Sequence, residues 1–169
     1  MATHHLDDSQ PHAFWDNTLA PRIHIQPGDT VVFETLEASA NQVTPDSSHD
    51  AVANLDFGLI HPLTGPVYMD GAEPGDALEV EILSIEHKGW GWNAVLPGFG
   101  LLADDFAEPY LQHYELQGDT CIFSPDIHIP YEPFCGVMGV APPPAWGMIT
   151  SLAPRQHGGN IDNKELVAG

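Results

Sequence analysis

The sequence predicts a mainly β fold of short strands joined by many Gly/Pro turns, β-sandwich- or barrel-like, with few short helices. Three observations carry this. Sixteen glycines and sixteen prolines in 169 residues interrupt the chain too often for a helix bundle. Apolar and polar residues alternate in Ile23-His24-Ile25 and in Leu78-Glu79-Val80-Glu81-Ile82, the period of two that marks a half-buried strand. The tripeptide Pro-Gly-Asp precedes a predicted strand twice, at 27–29 and 74–76, with Pro and Gly where a type II turn needs them.

In chain order, residues 1–21 form a polar, Pro-punctuated run holding His4, His5, His12 and Phe14-Trp15; it is read as a loosely held terminus. A strand at Arg22-Ile23-His24-Ile25, a turn at Gln26-Pro27-Gly28-Asp29 and a strand over 30–35 follow. Residues 38–57 read as a surface excursion too polar for core, with Asp46, His49 and Asp50 as a solvated cluster. Thr64-Gly65-Pro66 predicts a turn, since Gly tolerates positive φ and Pro fixes φ while withholding a donor. Val67 to Met69 is then a short strand. After the turn at Glu73-Pro74-Gly75-Asp76, a strand from Leu78 through Ile82 is closed by residues 85–88.

Gly89-Trp90-Gly91-Trp92-Asn93 has two readings, close backbone approach beneath aromatic lids or two tryptophans in a core corner. Residues 101–110 suggest a short helix capped near Asp104. Further strands are expected at 120–123, 127–129 and 136–140, followed by a rigid Pro142-Pro143-Pro144 link. Residues 157–162 read as loop, running into a short helix at 163–167.

The length fits one domain, 1–169, with enough chain to bury a core. Asp and Glu number 24 against 4 Lys and Arg, a formal net charge of −20. That excludes nucleic acid, whose binders need cations to displace counterions, and disfavours an anionic membrane surface. So acidic a chain is read as halophilic, because molar salt shortens the Debye length to about 3 Å and screens self-repulsion. Cys121 and Cys135 are too few and too irregularly spaced for a disulfide framework or a thiolate zinc site. Met1 to Asp8 lacks the apolar core of a secretory leader, and no apolar run is long enough to span a bilayer. A cytoplasmic protein is expected. Gly-x-Ser-x-Gly, Walker and Rossmann glycine patterns are absent.

Three stretches carry a resemblance. They are the 22 residues from His61-Pro62-Leu63-Thr64-Gly65-Pro66 to Ile82, then Pro133-Phe134-Cys135-Gly136-Val137-Met138-Gly139-Val140-Ala141-Pro142, and His157-Gly158-Gly159-Asn160-Ile161-Asp162-Asn163-Lys164-Glu165-Leu166. In this order they resemble the acetamidase/formamidase family. The resemblance implies a metal-dependent hydrolase of small amides on a mainly β scaffold. Family members are longer, and their second half carries a Gly-Asp-x-His stretch ending in Gly-Glu that this chain lacks. The chain is therefore expected to correspond to the amino-terminal half, with a complementary carboxy-terminal chain or a second copy as partner and a small amide as substrate.

Amide hydrolysis needs an activated water, stabilisation of the tetrahedral oxyanion and a proton for the departing ammonia. Zinc, with calcium as the alternative divalent ion, would supply the first two. Candidate groups are His61, Asp76, Glu79, His157, Asn160 and Asp162. The resemblance makes Asp162 and His61 the metal ligands, and Glu79 with His61 the proton-moving groups. Gly158, Gly159 and Asn160 become the substrate-binding turn, because glycines let backbone N–H groups approach a substrate oxygen. Each has a plainer reading: a capping Asp162, a hydrogen-bonded His61, a solvated Glu79; Asp76 suits turn chemistry better than ligation. The alternative function is a non-catalytic β domain that binds a partner chain, while a cupin-like metal barrel lacks closely spaced histidines. The halophilic reading predicts that dilution from molar to low salt abolishes the near-UV circular dichroism; an unchanged spectrum would contradict it.

Overall fold

The computed structural model describes every residue from Met1 to Gly169. In chain order its strands are β1 (Thr3–Leu6), β2 (Phe14–Trp15), β3 (Ile23–Ile25), β4 (Thr30–Phe33), β5 (Val67–Met69), β6 (Trp90–Val95), β7 (Tyr110–Gln117), β8 (Thr120–Ser124), β9 (Ile127–Pro130), β10 (Val137–Gly139), β11 (Ile149–Thr150) and β12 (Gly158–Asn160). The one α-helix, α1, is Asp50–Ala53, and Pro144–Trp146 forms a 3-10 turn. The mainly β expectation holds. Two compact units emerge, residues 1–41, 57–80 and 136–162 in the first and 42–56, 81–135 and 163–169 in the second.

The first unit is a set of two-stranded ladders. β1 runs parallel to β4, and β3 parallel to β5; β2 pairs antiparallel with β11, and β10 antiparallel with β12. Residues 1–21 are thus better held than expected: Leu6 is buried, and β1 gains a backbone partner in β4. In β3 the predicted alternation holds, with Ile25 buried and His24 exposed. The two Pro-Gly-Asp turns close alike. Asp29 N–H donates to Gln26 O at 3.0 Å and Asp76 N–H to Glu73 O at 3.0 Å. Each aspartate also accepts the first turn residue's N–H, Gln26 at 3.1 Å and Glu73 at 2.9 Å. Gly28 and Gly75 sit at φ 87° and 105°, where glycine is preferred.

The second unit is an antiparallel meander, β6-β7-β8-β9. Trp90, Trp92 and Ala94, on one face of β6, pack against buried Val43, Val52 and Leu111. Of the two readings of the Gly-Trp run, the tryptophans are core. Gly91, on the opposite face, leaves room for the Tyr114 ring, into which a methyl group would run. The 38–57 segment is not merely surface. Val43 is 1% exposed, and burying a side chain of this kind is worth about 1.5–3 kcal/mol. The segment is tied down by Leu111 N–H, which donates to His49 Nδ1 at 2.8 Å, and by His113 Nε2, 2.9 Å from Thr44 O.

Three predicted elements do not form, and the longest strand was not predicted. Leu78 to Ile82 alternates correctly but has no neighbouring strand in this chain, so Leu78 and Val80 stay 51% and 55% exposed and neither this stretch nor 85–88 is a strand. Residues 101–110 make one turn, Phe106 N–H to Leu102 O at 3.1 Å. It stops there because Leu101, Leu102 and Phe106 have no surface to cover, and Pro109 biases Glu108 away from helix. At 163–167 the Asn163 side chain accepts the Glu165 N–H, an Asx turn that competes with helix. The eight-residue β7 reads Tyr-Leu-Gln-His-Tyr-Glu-Leu-Gln, too polar to announce itself.

Asp29 provides a test of the first unit. Its carboxylate accepts Ala2 N–H at 2.6 Å, then Gln26 N–H and the His4 ring, which hold its pKa down at about 2. A depressed folded pKa means the contribution is complete above the unfolded value near pH 4 and is lost as pH falls through about 2. Asp7, lowered to about 2 by Ser9 and Arg22, acts in the same window. Asp29→Asn should lower the urea midpoint at neutral pH and flatten part of the fall between about pH 4 and 2; parallel pH profiles for both proteins would contradict this.

Candidate functional site

Three of the predicted site residues, Gly158, Gly159 and Asn160, form β12 in the first unit. β12 pairs with β10 so that Gly158 faces Gly139, Gly159 faces Met138 and Asn160 faces Val137. Paired glycines are needed because the backbones run unusually close. A Cβ on Gly139 would stand 2.6 Å from His157 O and 2.9 Å from Gly159 N; one on Gly158 would stand 2.5 Å from Met138 O. Gly158 and Gly159 also have φ of 93° and 105°, which side chains rarely adopt. The predicted loop at 157–162 therefore contains a strand, β12 at Gly158–Asn160, and Val140 N–H to His157 O at 2.9 Å extends the pairing.

At one end of this seam Asp162 turns into the left-handed region at φ 47°, and its N–H donates to Gly136 O at 3.0 Å. Its Oδ1 lies 3.0 Å from where a Cβ on Gly136 would stand, so that glycine makes room for the carboxylate. Asp162 is exposed, and Asn160 is half-buried with its amide donating to Leu152 O at 3.2 Å. Gly158 N–H, expected to face substrate, instead donates to Arg155 O at 3.0 Å.

Beyond the other end sits His157, 6% exposed. Its ring meets Trp15 edge-on at 5.2 Å and 68°, and Trp146 at 6.5 Å and 85°. Neither ring nitrogen has a hydrogen-bond partner, and neither does the buried Trp15 Nε1. Burial, with the Arg155 charge adding to it, holds the His157 imidazole below its usual pKa range and so favours the neutral ring. His61 follows Ile60, whose carbonyl accepts the buried Ser151 hydroxyl at 2.7 Å, and His61 Nδ1 is a fourth buried nitrogen without a partner. His12 is pinned by reciprocal backbone bonds with Leu63, 3.1 and 2.8 Å, and burial lowers its pKa while Asp16 opposes the shift.

Of the predicted residues, His61, Gly158, Gly159, Asn160 and Asp162 lie within the first unit's ladders or directly beside them. Asp76 serves its turn. Glu79 lies on the exposed stretch 71–81, which forms no strand. The Trp15 and Trp146 contacts to His157 were not foreseen, because nothing in the sequence sets these two apart among the chain's four tryptophans. Cys121 and Cys135 are free, and burial pushes the Cys135 thiol pKa up, as suits an inert cysteine. As to a resident metal, His61 Nδ1 fits a ligand, but no three His, Cys, Asp or Glu side chains of this chain converge to hold an ion. The residues present do not complete a zinc site by themselves.

The acetamidase/formamidase family model matches residues 2–148. The chain belongs to that family. It is 29% identical over 137 residues to a formamidase of Methylophilus methylotrophus, a match covering 78% of this chain and 33% of that one. It is 28% identical over 151 residues to an acetamidase of Mycolicibacterium smegmatis, covering 79% and 36%. The structure superposes on the crystal structure of an acetamidase from Bacillus halodurans with a TM-score of 0.89 and 34% identity, covering 98% of this chain and 55% of the other. The chain thus spans about a third of the length of the curated relatives it matches. No helix is long and apolar enough to cross a membrane.

The glycine seam is testable. Gly139→Ala places a methyl against His157 O and Gly159 N, and should cost roughly 1–3 kcal/mol, as overpacking does. Because Trp15 also lies 3.2 Å from that position, its fluorescence should shift as well; an unaltered urea midpoint and spectrum would contradict the packing.

Proposed function

We propose that this chain supplies the amino-terminal part of an enzyme that hydrolyses small linear amides, such as formamide and acetamide, to carboxylate and ammonia. The observation that carries this reading is the family match over residues 2–148, whose relatives include a formamidase and an acetamidase. Asp162 and His61 are the groups we assign toward a divalent metal, zinc first and calcium as the alternative, with the remaining ligands coming from outside these residues. Such an ion, if held there, would supply an activated water and polarise the carbonyl. Asn160, with Gly158 and Gly159, shapes the turn beside Asp162. Glu79 and His61 are assigned to proton movement, Glu79 from an exposed position on the same unit. We place the protein in the cytoplasm of a halophile, as its charge of −20 suggests.

A second reading, a non-catalytic domain that binds a partner chain, is favoured by the unpaired alternation at Leu78 to Ile82, since an unpaired edge is a template for another strand. Both readings expect a second copy or a complementary chain. The test is ammonia release from formamide and acetamide in molar salt, by this chain alone and with the carboxy-terminal region of a relative added. Release that Asp162→Ala abolishes at unchanged near-UV circular dichroism is the expected result. No release in either case, with zinc making no difference, would overturn hydrolysis and leave the binding reading.

A further inference from the structure

In the second unit two histidine bonds tie the 42–56 segment to β7, and they differ in one respect. Leu111 N–H donates to His49 Nδ1 at 2.8 Å, so that nitrogen must keep its lone pair and the neutral ring carries its proton on Nε2. His113 Nε2 lies 2.9 Å from Thr44 O, a carbonyl that only accepts, so here the ring donates. A protonated imidazole donates from both nitrogens and accepts at neither. Taking up a proton therefore removes the His49 bond and leaves the His113 bond in place.

The bond at risk holds the core of this unit. Leu111 is buried and clusters with Val43 and Val52, and Val52 belongs to α1, which His49 directly precedes. A four-residue helix without a side-chain cap is too short to stand alone, so α1 depends on what ties it to β7. The His49 ring is exposed and stacks on Tyr110 at 4.8 Å and 21°. Among titratable groups, Tyr110 faces the ring from β7; Asp46 and Asp50 flank it on its own segment, and Glu108 and His113 lie near it along the β7 side of the sequence. The phenol and the carboxylates keep their charge states between about pH 7.5 and 5, where imidazoles change theirs. His113 changes too, but its Nε2 donates in either state.

We infer that His49 is a proton-operated latch. As a neutral ring it straps α1 to the start of β7; as an imidazolium it lets go of Leu111 N–H, and the α1 end of the segment lifts while the His113 bond to Thr44 keeps the other end attached. The sign follows from the bond: the strap is complete where histidine is neutral and is lost as pH falls through the range in which imidazoles take up a proton, about pH 7 to 6. The latch lies in the second unit and does not rest on amide hydrolysis.

The test follows amide hydrogen exchange of the full chain in molar salt at about pH 7.5 and about pH 5, corrected for the intrinsic pH dependence of exchange, with the His49 ring nitrogens read by NMR. At the higher pH His49 Nδ1 should give the signal of an unprotonated nitrogen, and at the lower that of a protonated one. Protection of Leu111 should fall by about tenfold between the two, the worth of one hydrogen bond. Leu116, whose N–H donates to Gly89 O farther along β7, should keep its protection. His49→Gln, which offers an acceptor but takes up no proton, should make Leu111 protection the same at both pH values. The wild-type comparison needs no variant to fold. A protonated Nδ1 at about pH 7.5, or Leu111 protection that stays constant while the ring titrates, overturns the inference. Equal loss at Leu116 also overturns it, because the sheet would then open as a whole.

Discussion

The close pairing of β10 with β12 is the constraint on which the first unit's candidate site depends. Where Gly139 faces Gly158, backbone replaces side chain as the packing material, and a single methyl would meet a carbonyl oxygen at 2.5–2.6 Å. That closeness fixes both ends of a six-residue stretch. His157 is held at one end by Val140 N–H on its carbonyl, and Asp162 at the other by Gly136 O on its own N–H. Two groups of opposite character, a dry imidazole and an exposed carboxylate, are thereby set at the two ends of a seam that cannot slide without a clash.

The polar atoms around this seam stand out by being unpaired. Buried groups in native proteins are nearly always paired, yet Trp15 Nε1, His61 Nδ1 and both His157 nitrogens lack a partner within the chain. All belong to the first unit. The second unit, by contrast, is held by apolar contact among Val43, Val52 and Leu111 with Trp90 and Trp92 laid over them. Two of its histidines are occupied: His49 and His113 bind the backbone of β7 and of the 42–56 segment. Unpaired polarity gathers in one unit, and ordinary scaffold work in the other.

Much of the fold was legible wherever local chemistry decides the outcome. Turns at 26–29 and 73–76, and strands β4, β5, β8, β9 and β10, follow from Pro-Gly-Asp placement and β-branched runs. Reading failed where a partner decides. Leu78 to Ile82 has the right period and no neighbour, so the alternation is real and the strand is not. β7 has a weak pattern and two neighbours, so the strand forms regardless. Val43 and Val52 were hidden in a polar segment, because a core needs only a few apolar residues if histidines tie the rest down. Of the site, Asn160, Asp162 and the glycines were legible through the resemblance. The cage around His157 was not, because Trp15 reaches it from the far end of the chain and only the folded ladders bring the two rings together.

Amide hydrogen exchange at Val140 and Asp162, measured in molar salt, tests the seam most directly. Their N–H groups close it, donating to His157 O and Gly136 O. Both should exchange among the slowest amides of the first unit. Exchange at Val140 and Asp162 as fast as in the exposed stretch 71–81 would mean that β10 and β12 do not hold together, and that His157 and Asp162 are not positioned as described.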